Sequence, residues 1–376
     1  AFWDVETTIT DEGWFAEMRI PFSSIGVQEI NNTTEMGIIV YRWITKKNER
    51  HIFPAIPPNW NLGNAKPSQA QDVILEGVKS KNPLYITPYG LGGINSISTL
   101  NSDSTQYTYD NDFTTEVGFD LKYNVTSNLT LDATVNTDFA QVEADDQQLN
   151  LSRFSLFFPE KRQFFQQRSG LFDFSFGRDQ VFYSRRIGLD GDGNPVRILG
   201  GGRLTGRVGD LDIGLMSLQT AESDNLPSEN FSVLRLRKQA FNTASYLGGI
   251  FTSRLGADGS SNIVYGFDGD INTISNHYIE FRVSQSVDDN IASAERYDID
   301  ETSALRLSAR NVTSTGFGYQ VTVNRLGDQF NPDVGFVRVG GTTQKFLRLS
   351  YGWLPDEESV FQRTNINAFY FGRFYN

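Results

Sequence analysis

The fold is decided by residues 128–172, which read NLTLDATVNTDFAQVEADDQQLNLSRFSLFFPEKRQFFQQRSGLF. The first eight residues alternate polar and apolar side chains, as a strand with one apolar face does. From Asp138 onward the stretch becomes acidic, and around Pro159 it becomes basic and rich in phenylalanine. A barrel wall that faces lipid does not accept such a run of charges. We therefore expect a membrane strand followed by a segment that is packed inside a barrel.

Strands of the same alternating kind flank this stretch on both sides. EVGFDLKYNV precedes it across the Thr126-Ser127 turn, and alternating segments follow it from ILGGGRLTGRV (198–208) to INAFYFGRF (366–374). Their lengths of about 9 to 12 residues suit a tilted strand that crosses a bilayer. We predict an all-β, transmembrane antiparallel barrel of about 14–16 or more strands over residues 80–376. We also expect the sequence to be a fragment of a longer chain.

The connections between these strands alternate in length. Short turns such as Gly209-Asp210 interleave with long polar loops such as 98–112 and 288–301. Outer-membrane barrels have short periplasmic turns and long outer loops, so the pattern predicts this location. The same parity requires an even number of crossings within 139–195. We predict QQLNLSRFS as an inward strand, FDFSFGRDQVFYSRRI as an outward strand, and residues 157–170 as a connector at the periplasmic mouth.

Composition excludes several classes of function. The chain is 13% aromatic, with 29 Phe and 34 Gly, and no apolar run approaches the roughly 18 residues of a spanning helix. Without cysteine there is no disulfide, thiol nucleophile or Cys-ligated zinc. A net charge of -12 argues against nucleic acid as a partner. The two histidines, His51 and His277, lie far apart in sequence, which leaves no multi-histidine metal site.

Residues 1–79 form a region of different composition that contains four of the five tryptophans. We predict a small, incomplete β-sandwich on the periplasmic side, with strands FWDVETTIT, GWFAEMRIPFSSI and MGIIVYRWITK. Trp14, Trp43 and Trp60 are candidates for stacking against sugar rings. Trp14 and Trp43 equally suit a hydrophobic core, and for Trp60 the structural and binding interpretations are balanced.

The charged internal segment, residues 139–180, is the main candidate site. In the connector, Pro159 is followed by EKRQFFQQR, which predicts a short helix. We expect a network of lumen-facing charges that acts either as a gate or as a structural set of salt bridges filling the lumen. Its predicted members are Asp138, Glu143, Asp145, Asp146, Glu160, Lys161, Arg162, Arg168, Arg185 and Arg186.

Two weaker patterns involve acidic residues. Asp190, Asp192 and Asn194 have the alternate spacing that begins a Ca²⁺ loop, but the distal glutamate of an EF-hand is missing, and a polar turn explains them better. Glu143, Asp145 and Asp146 offer the paired carboxylates that glycosidases use, although such pairs are common in an acidic chain. We assign no catalytic residue and no cofactor other than this candidate Ca²⁺.

The run LKYNVTSNLTLDATVNTDFAQVEADDQQLNLSRFSLFFPEKRQFFQQRSGLFDF, followed by FYSRRIG and GGRLTGRVGDLDIGLMSLQT, resembles the DUF5916 family of Bacteroidota envelope proteins. In that family a domain similar to family 9 carbohydrate-binding modules precedes an outer-membrane barrel. GWFAEMRIPFSSI and the strand after it look like the last part of such a module. The resemblance implies contact with outer-membrane lipid and a role in glycan capture or uptake and in carbohydrate catabolism.

Three functions stay open from the sequence. The first is a transport conduit or glycan-uptake barrel with a carbohydrate ligand. The second is a structural or assembly component that docks other envelope proteins. The third is an accessory protein or hydrolase in carbohydrate catabolism, for which only the carboxylates argue.

Overall fold

The computed structural model describes most of the 376-residue chain. The residues outside the described part are 1–2, 26, 28, 31, 58–59, 61, 79–81, 104, 138–148, 150, 152–154, 191–194, 224–225, 356–358, 360 and 362–363, together with the side chains of residues 23, 29, 30, 95, 97, 112 and 114.

The N-terminal region consists of short strands in three small sheets. The strands are β1 (Asp4–Thr10), β2 (Gly13–Arg19), β3 (Glu29–Ile30), β4 (Thr33–Ile38), β5 (Val40–Ile44), β6 (Glu49–Phe53) and β7 (Gln71–Glu76), with the short helix α1 (Phe22–Ile25) and 3₁₀ turns at Thr45–Lys47, Gly63–Ala65 and Pro67–Gln69. The sheets are β1-β2, β3-β4-β7 and β5-β6. The segment MGIIVYRWITK, predicted as one strand, is therefore divided at Ile39, because β4 pairs with β7 whereas β5 pairs with β6.

The rest of the chain is dominated by one large antiparallel sheet. The strands are β8 (Leu84–Leu100), β9 (Tyr107–Asn124), β10 (Leu129–Val135), β11 (Ser175–Phe176), β12 (Asp179–Gln180), β13 (Ile198–Val208), β14 (Leu211–Thr220), β15 (Glu229–Gln239), β16 (Tyr246–Gly256), β17 (Ser261–Ile274), β18 (His277–Asp288), β19 (Ser303–Asn311), β20 (Gly316–Leu326), β21 (Thr342–Trp353) and β22 (Thr364–Tyr375). Thirteen of them form the sheet in sequence order from β8 to β22, and β11 and β12 form a separate hairpin. The predicted all-β antiparallel architecture is confirmed.

Of the two strand crossings predicted within 139–195, the outward one, FDFSFGRDQVFYSRRI, is wrong, and the inward one falls mostly outside the described residues. β10 pairs directly with β13, from Leu129 opposite Gly206 to Val135 opposite Gly200. No segment between them enters the large sheet among the described residues. QQLNLSRFS lies mostly outside those residues, and FDFSFGRDQVFYSRRI folds into the β11-β12 hairpin and a 3₁₀ turn at Ser184–Arg186. The predicted number of about 14–16 or more strands included these two segments, whereas the sheet has thirteen strands within the described part of the chain.

The excursion between β10 and β13 packs on one face of the sheet. From here on, the internal segment means the described residues 155–190 rather than the range 139–180 predicted from the sequence. The covered face is the sheet face that the internal segment contacts. Two clusters of buried residues join the internal segment to the covered face. The first combines Phe165, Phe172 and Ile187 of the segment with Ile198, Met216, Leu218, Phe231 and Val233 of the sheet, and the second combines Phe174, Phe176 and Val181 with Ile250, Val264, Ala304 and Leu326.

The sheet curves around the internal segment. Gln167 contacts Lys122 on β9, and Gly177 lies against Asn324 on β20. These strands are the first and last of ten neighbours in the sheet order, so a flat sheet would separate them by about 43 Å. Ten residues of chain extend at most about 35 Å, and residues 169–172 are coiled into a 3₁₀ turn. This arrangement favours a covered face that is concave.

Helices are a minor part of the structure. Besides α1 they are α2 (Gln163–Gln166) and α3 (Ile299–Thr302). Among the described residues, none of the helices has both the length and the apolar composition needed to traverse a membrane. The helix predicted for EKRQFFQQR is limited to the single turn of α2, because Arg162 and Gln167 on either side of it have extended backbone, and Arg168 lies in the left-handed region, with φ of 51°.

Candidate functional site

The internal segment is held together by a buried ion pair near its start. Arg162 donates from Nε to Oε1 of Glu160 at 2.9 Å and from Nη2 to Oε2 at 2.8 Å. Its Nη1 and Nη2 also donate to the carbonyls of Ile187 and Ser184, at 2.8 and 2.7 Å. The guanidinium therefore ties the two ends of the segment together. The ring of Phe165 lies 4.2 Å below it.

These contacts set the ionisation of Glu160. Burial works to raise the pKa of its carboxyl, but the hydrogen bonds and charge of Arg162, with a hydrogen bond from Ser184, outweigh burial and hold the pKa below its ordinary value. A general acid for glycoside cleavage needs a raised pKa instead. Glu160 is therefore unsuited to the proton-donating role in a hydrolase.

A second anchor joins the middle of the segment to β9, β10 and β13. Arg203 pairs with Asp132 at 3.1 Å and donates from Nη1 to the carbonyl of Gln167 at 2.9 Å. Lys122 donates to the side-chain oxygen of Gln167 and lies 3.4 Å from Asp132. Next in the chain, Arg168 donates to the backbone carbonyls of residues 128 and 205, at 2.7 and 3.2 Å. The segment is thus bound to the sheet at the junction between the paired strands β10 and β13.

A third anchor is the most deeply buried ion pair in the described residues. Arg235 of β15 pairs with Asp268 of β17 through two hydrogen bonds of 2.7 and 2.6 Å, and their side chains are 1% and 0% exposed. The hydroxyl of Tyr246 also donates to Asp268, at 3.2 Å. The guanidinium lies 5.3 Å from the ring centre of Phe174. The pair thus lies directly beneath the internal segment.

A fourth anchor holds the β11-β12 hairpin. Arg282 of β18 donates from Nη1 to the carbonyl and hydroxyl oxygens of Ser175, at 2.6 and 3.0 Å. Its charge is balanced by Glu280, which also accepts hydrogen bonds from Arg306 at 2.8 Å and from Arg310 at 3.0 Å. A carboxylate shared by three arginines keeps this part of the covered face fixed.

The hairpin presents its turn to the last strands of the sheet. The turn is Gly177-Arg178, and Gly177 has φ of 81°, which suits the first central position of a two-residue turn. Residues 334–338 run beside β12, since Gln180 and Phe336 exchange backbone hydrogen bonds of 2.7 and 2.8 Å. Asp179 accepts a hydrogen bond from the backbone N–H of Arg338 at 2.8 Å. Burial raises the pKa of the Asp179 carboxyl, although that bond and the charges of Arg373 and Arg338 act in the opposite direction.

Two neighbouring cavities lie around this turn. One, of about 460 Å³, is lined by Phe157, Phe336 and the hairpin. The other, of about 360 Å³, extends between the hairpin and the covered face of β21 and β22, where it is lined by Gln344, Phe371 and Arg373. Gly177, Arg178 and Arg338 line both cavities.

The predicted network members fall into three groups. Asp138, Glu143, Asp145 and Asp146 lie outside the described residues. Glu160, Arg162 and Arg168 form the contacts given above, and the structure joins Glu160 to Arg162. The others lie within the internal segment: Lys161 is half-buried, Arg185 lies 6.0 Å from the ring of Phe158, and Arg186 donates to the carbonyl of Gly335 at 3.1 Å. Whether these groups gate a lumen or only fill it stays a prediction.

The other predicted sites are less defined. Asp190 follows the internal 3₁₀ turn, whereas Asp192 and Asn194 lie outside the described residues. Within the described part of the chain, no three carboxylate or imidazole groups cluster as metal ligands do. Trp14 and Trp43 are half exposed, on β2 and β5, and Arg50 covers the ring of Trp43 at 4.4 Å. Trp60 lies 5.2 Å from the ammonium of Lys66.

The covered-face ions were not foreseen from the sequence. Lys122, Asp132, Arg203, Arg235 and Asp268 all lie in segments predicted correctly as strands. The sequence does carry a pattern that could have placed these charges on the buried face, because each charge is in phase with the side chains that the sheet buries. In FSVLRLRK, for example, Phe231, Val233 and Arg235 share one face. Their partners could not be assigned, since the alternation within one strand does not determine its register against distant strands.

Comparison with known proteins finds one family model that matches part of the chain. Residues 84–198 match the family described as Domain of unknown function (DUF5916). The match includes β8–β10 and the internal segment, and it supports the resemblance noted in the sequence over that range. No curated protein matches the chain.

Several solved structures are similar in outline. OccK11 (OpdR) of Pseudomonas aeruginosa is 12% identical, with 71% of this chain and 64% of OccK11 covered and a TM-score of 0.31. For OccK7 (OpdD) of the same organism the identity is 10%, the coverage 79% and 84%, and the TM-score 0.29. A BenF-like porin from Pseudomonas fluorescens Pf-5 is 8% identical, with 78% and 94% covered and a TM-score of 0.23. The chain spans less than two thirds of the length of OccK11.

Proposed function

We propose that the chain forms the wall of an outer-membrane β-barrel channel whose lumen is narrowed by the internal segment. The observation that carries this proposal is the asymmetry of the large sheet. Its covered face holds the segment through hydrogen bonds from Lys122, Arg203 and Arg282 and through two apolar clusters, whereas its opposite face exposes large apolar side chains in phase on successive strands. These include Leu215, Leu234, Phe251, Phe267, Val283, Leu307 and Val321.

Such an opposite face suits lipid. Contiguous exposed apolar surface is unusual in a protein that is bathed in water, and outer-membrane barrels carry an apolar band of this kind. A polar covered face of paired charges is equally typical of a barrel interior. Together the two faces support membrane insertion with the internal segment on the lumen side.

The geometry also favours a fixed constriction. The anchors distribute the segment's contacts from β9 to β20, and breaking any single buried pair leaves an uncompensated charge. Cavities remain between the hairpin and β21–β22, so a solute path on that side does not require the segment to leave. The chain is therefore proposed to conduct small solutes past a stationary segment.

Electrical recording tests this function. The full-length protein is reconstituted in planar bilayers, and single-channel conductance is measured with and without residues 157–170. We expect a steady conductance in the intact protein and a larger one in the deletion, because the deletion removes Phe165 and the Glu160–Arg162 pair. A form with Lys238→Gln, at an exposed position, serves as control and should conduct normally. Silence of both the intact and the deleted protein would exclude a channel.

A docking or glycan-binding role for residues 1–79 is a second candidate. Its strands expose the apolar side chains of Ile9, Trp14, Trp43 and Ile74, which suit either a sugar or a protein partner. Pull-down from solubilised membranes, and retention of the protein on immobilised glycans, separate the two. Replacing Trp14 and Trp43 by alanine should abolish whichever interaction exists; if both assays are negative for the unmodified protein, neither role holds.

A further inference from the structure

The arginines beside the hairpin turn differ from those elsewhere on the covered face. Arg203, Arg235 and Arg254 reach carboxylates at 3.1, 2.6 and 3.0 Å. In contrast, neither Arg178 nor Arg373 has a carboxylate within 4 Å among the residues that the structure describes. Both line the cavity of about 360 Å³ between the hairpin and β22.

The turn fixes the position of Arg178. The hairpin is clamped on one side by Arg282 and on the other by the Gln180–Phe336 backbone bonds, and its phenylalanines are buried in the second apolar cluster. The backbone at the tip is therefore held in place opposite β22. A cation presented on a rigid turn loses less freedom when it binds an anion than one on a mobile loop does.

The cavity has apolar walls as well as cationic ones. Phe371 precedes Arg373 by two residues on β22, so both side chains lie on the covered face. Phe157 and Phe336 line the neighbouring cavity at a ring-centre distance of 5.4 Å from each other. Volumes of about 460 and 360 Å³ are within the range of small-ligand sites.

Charge decides the class of ligand. Arg178 and Arg373 line the cavity, and the one carboxylate in its described lining is that of Asp179, which is 4% exposed and already accepts a hydrogen bond. Guanidinium groups bind carboxylates through paired hydrogen bonds, and the phenylalanine rings accept a flat apolar body. We propose that this cavity binds a small organic carboxylate with an apolar body, through Arg178 and Arg373. The inference rests on the proposed channel function, because the bound anion is then a solute on the conducting side of the segment.

Binding and conduction are measured separately. Phenylacetate and its neutral analogue phenylacetamide are titrated into the detergent-solubilised full chain, and heats of binding are recorded by calorimetry. We expect phenylacetate to bind and phenylacetamide to bind at least tenfold more weakly, since a hydrogen bond to a charged group contributes about this factor. Arg178→Gln with Arg373→Gln should weaken phenylacetate binding by about tenfold or more. Phe371→Ala should weaken phenylacetate but leave acetate unchanged.

The control removes the same charge elsewhere. Lys238→Gln with Lys345→Gln changes the end of β15 and the opposite face of β21, and it should leave binding intact. Equal binding of phenylacetate and phenylacetamide, no binding of either, or equal affinity in the Arg178/Arg373 variant and the control would overturn the inference. If the protein conducts in bilayers while any of these results is obtained, the channel function stands and only the ligand assignment fails. If phenylacetate binds as expected but nothing conducts, the site stands and the channel fails.

Discussion

The covered middle of the large sheet and its last strand have the same sequence pattern but different surroundings. Met216, Val233 and Val264, on β14, β15 and β17, are 1% exposed or less. On β22 the corresponding face carries Phe369 and Phe371, which are 78% and 56% exposed. Alternation produces strands in both places, but in the middle of the sheet the internal segment, with Phe330 and Val334 of the β20–β21 connection, converts a strand face into a core. Stability should therefore be concentrated where the segment lies.

The largest effect is expected at the pair beneath the segment. Asp268→Ala leaves the guanidinium of Arg235 buried without its partner, which costs about 3–5 kcal/mol. The free energy of unfolding in urea, measured in detergent or lipid, gives the value. Asp210→Ala, which breaks a pair with the exposed Lys238, is the control and should cost about 1 kcal/mol or less. Equal losses for the two variants would show that burial beneath the segment has no special weight.

Removing an aromatic side chain from the first apolar cluster should come next. Phe172 is 1% exposed and packs against Met216 and Leu218. Phe172→Ala creates a cavity and is expected to cost about 3 kcal/mol. Limited proteolysis should then cleave the internal segment before the large sheet. A variant whose segment resists protease as well as the unmodified protein would contradict the role assigned to this cluster.

A smaller loss is expected at the edge between β10 and β13. Arg168→Met removes the hydrogen bonds to the carbonyls of residues 128 and 205, with an expected cost of about 1–3 kcal/mol. Amide hydrogen exchange should increase at the ends of β10 and β13 and stay unchanged in β18. Increased exchange throughout the sheet would instead point to global unfolding.

The stability of the protein should depend on pH in opposite ways through two carboxyls of the segment, those of Glu160 and Asp179. The pKa of Glu160 is lowered in the folded state, so its contribution is present above the ordinary value of 4.5 and is lost as the pH falls through the lowered pKa. Asp179 behaves oppositely: its raised pKa favours folding below the ordinary value of 3.8, and that contribution is lost as the pH rises through the raised pKa.

Substitution of each carboxyl by its amide should therefore change the acid limb of the stability curve in opposite senses. Glu160→Gln should make the loss of stability on acidification shallower, and Asp179→Asn should make it steeper. Urea unfolding between pH 3 and 6 measures both slopes, and slopes that change in the same sense would contradict the opposed environments of the two groups.

The smallest effect is expected on the last strand. Phe369→Ala removes a side chain of the same type as Phe172, but one that is 78% exposed, and the change should be within about 0.5 kcal/mol. The ratio between the losses of unfolding free energy in the two phenylalanine variants measures how much packing against the internal segment contributes to stability. A loss at Phe369 as large as that at Phe172 would mean that the last strand is packed against another element.

The sequence predicted most strands of the large sheet but little of the structure of the internal segment and its polar contacts. HYIEFRVSQS, for example, corresponds to β18, because charge and apolar alternation persist along its whole length. The same alternation in Phe172, Phe174 and Phe176 led to a wrong crossing strand, since local periodicity does not say whether a partner strand or a concave face receives the side chains. The anchors, such as Arg203 with Gln167, join residues far apart in sequence, so only the folded chain reveals them.

The direct pairing of β10 with β13 makes residues 136–197 an insertion between two adjacent hairpins. The closure entropy of a loop rises by only about 0.6 kcal/mol for each doubling of its length, so loop closure alone adds little cost to an insertion of this size. The register of β10 against β13 is set by the ladder between these two strands, and the insertion contributes instead through the core that it forms on the covered face.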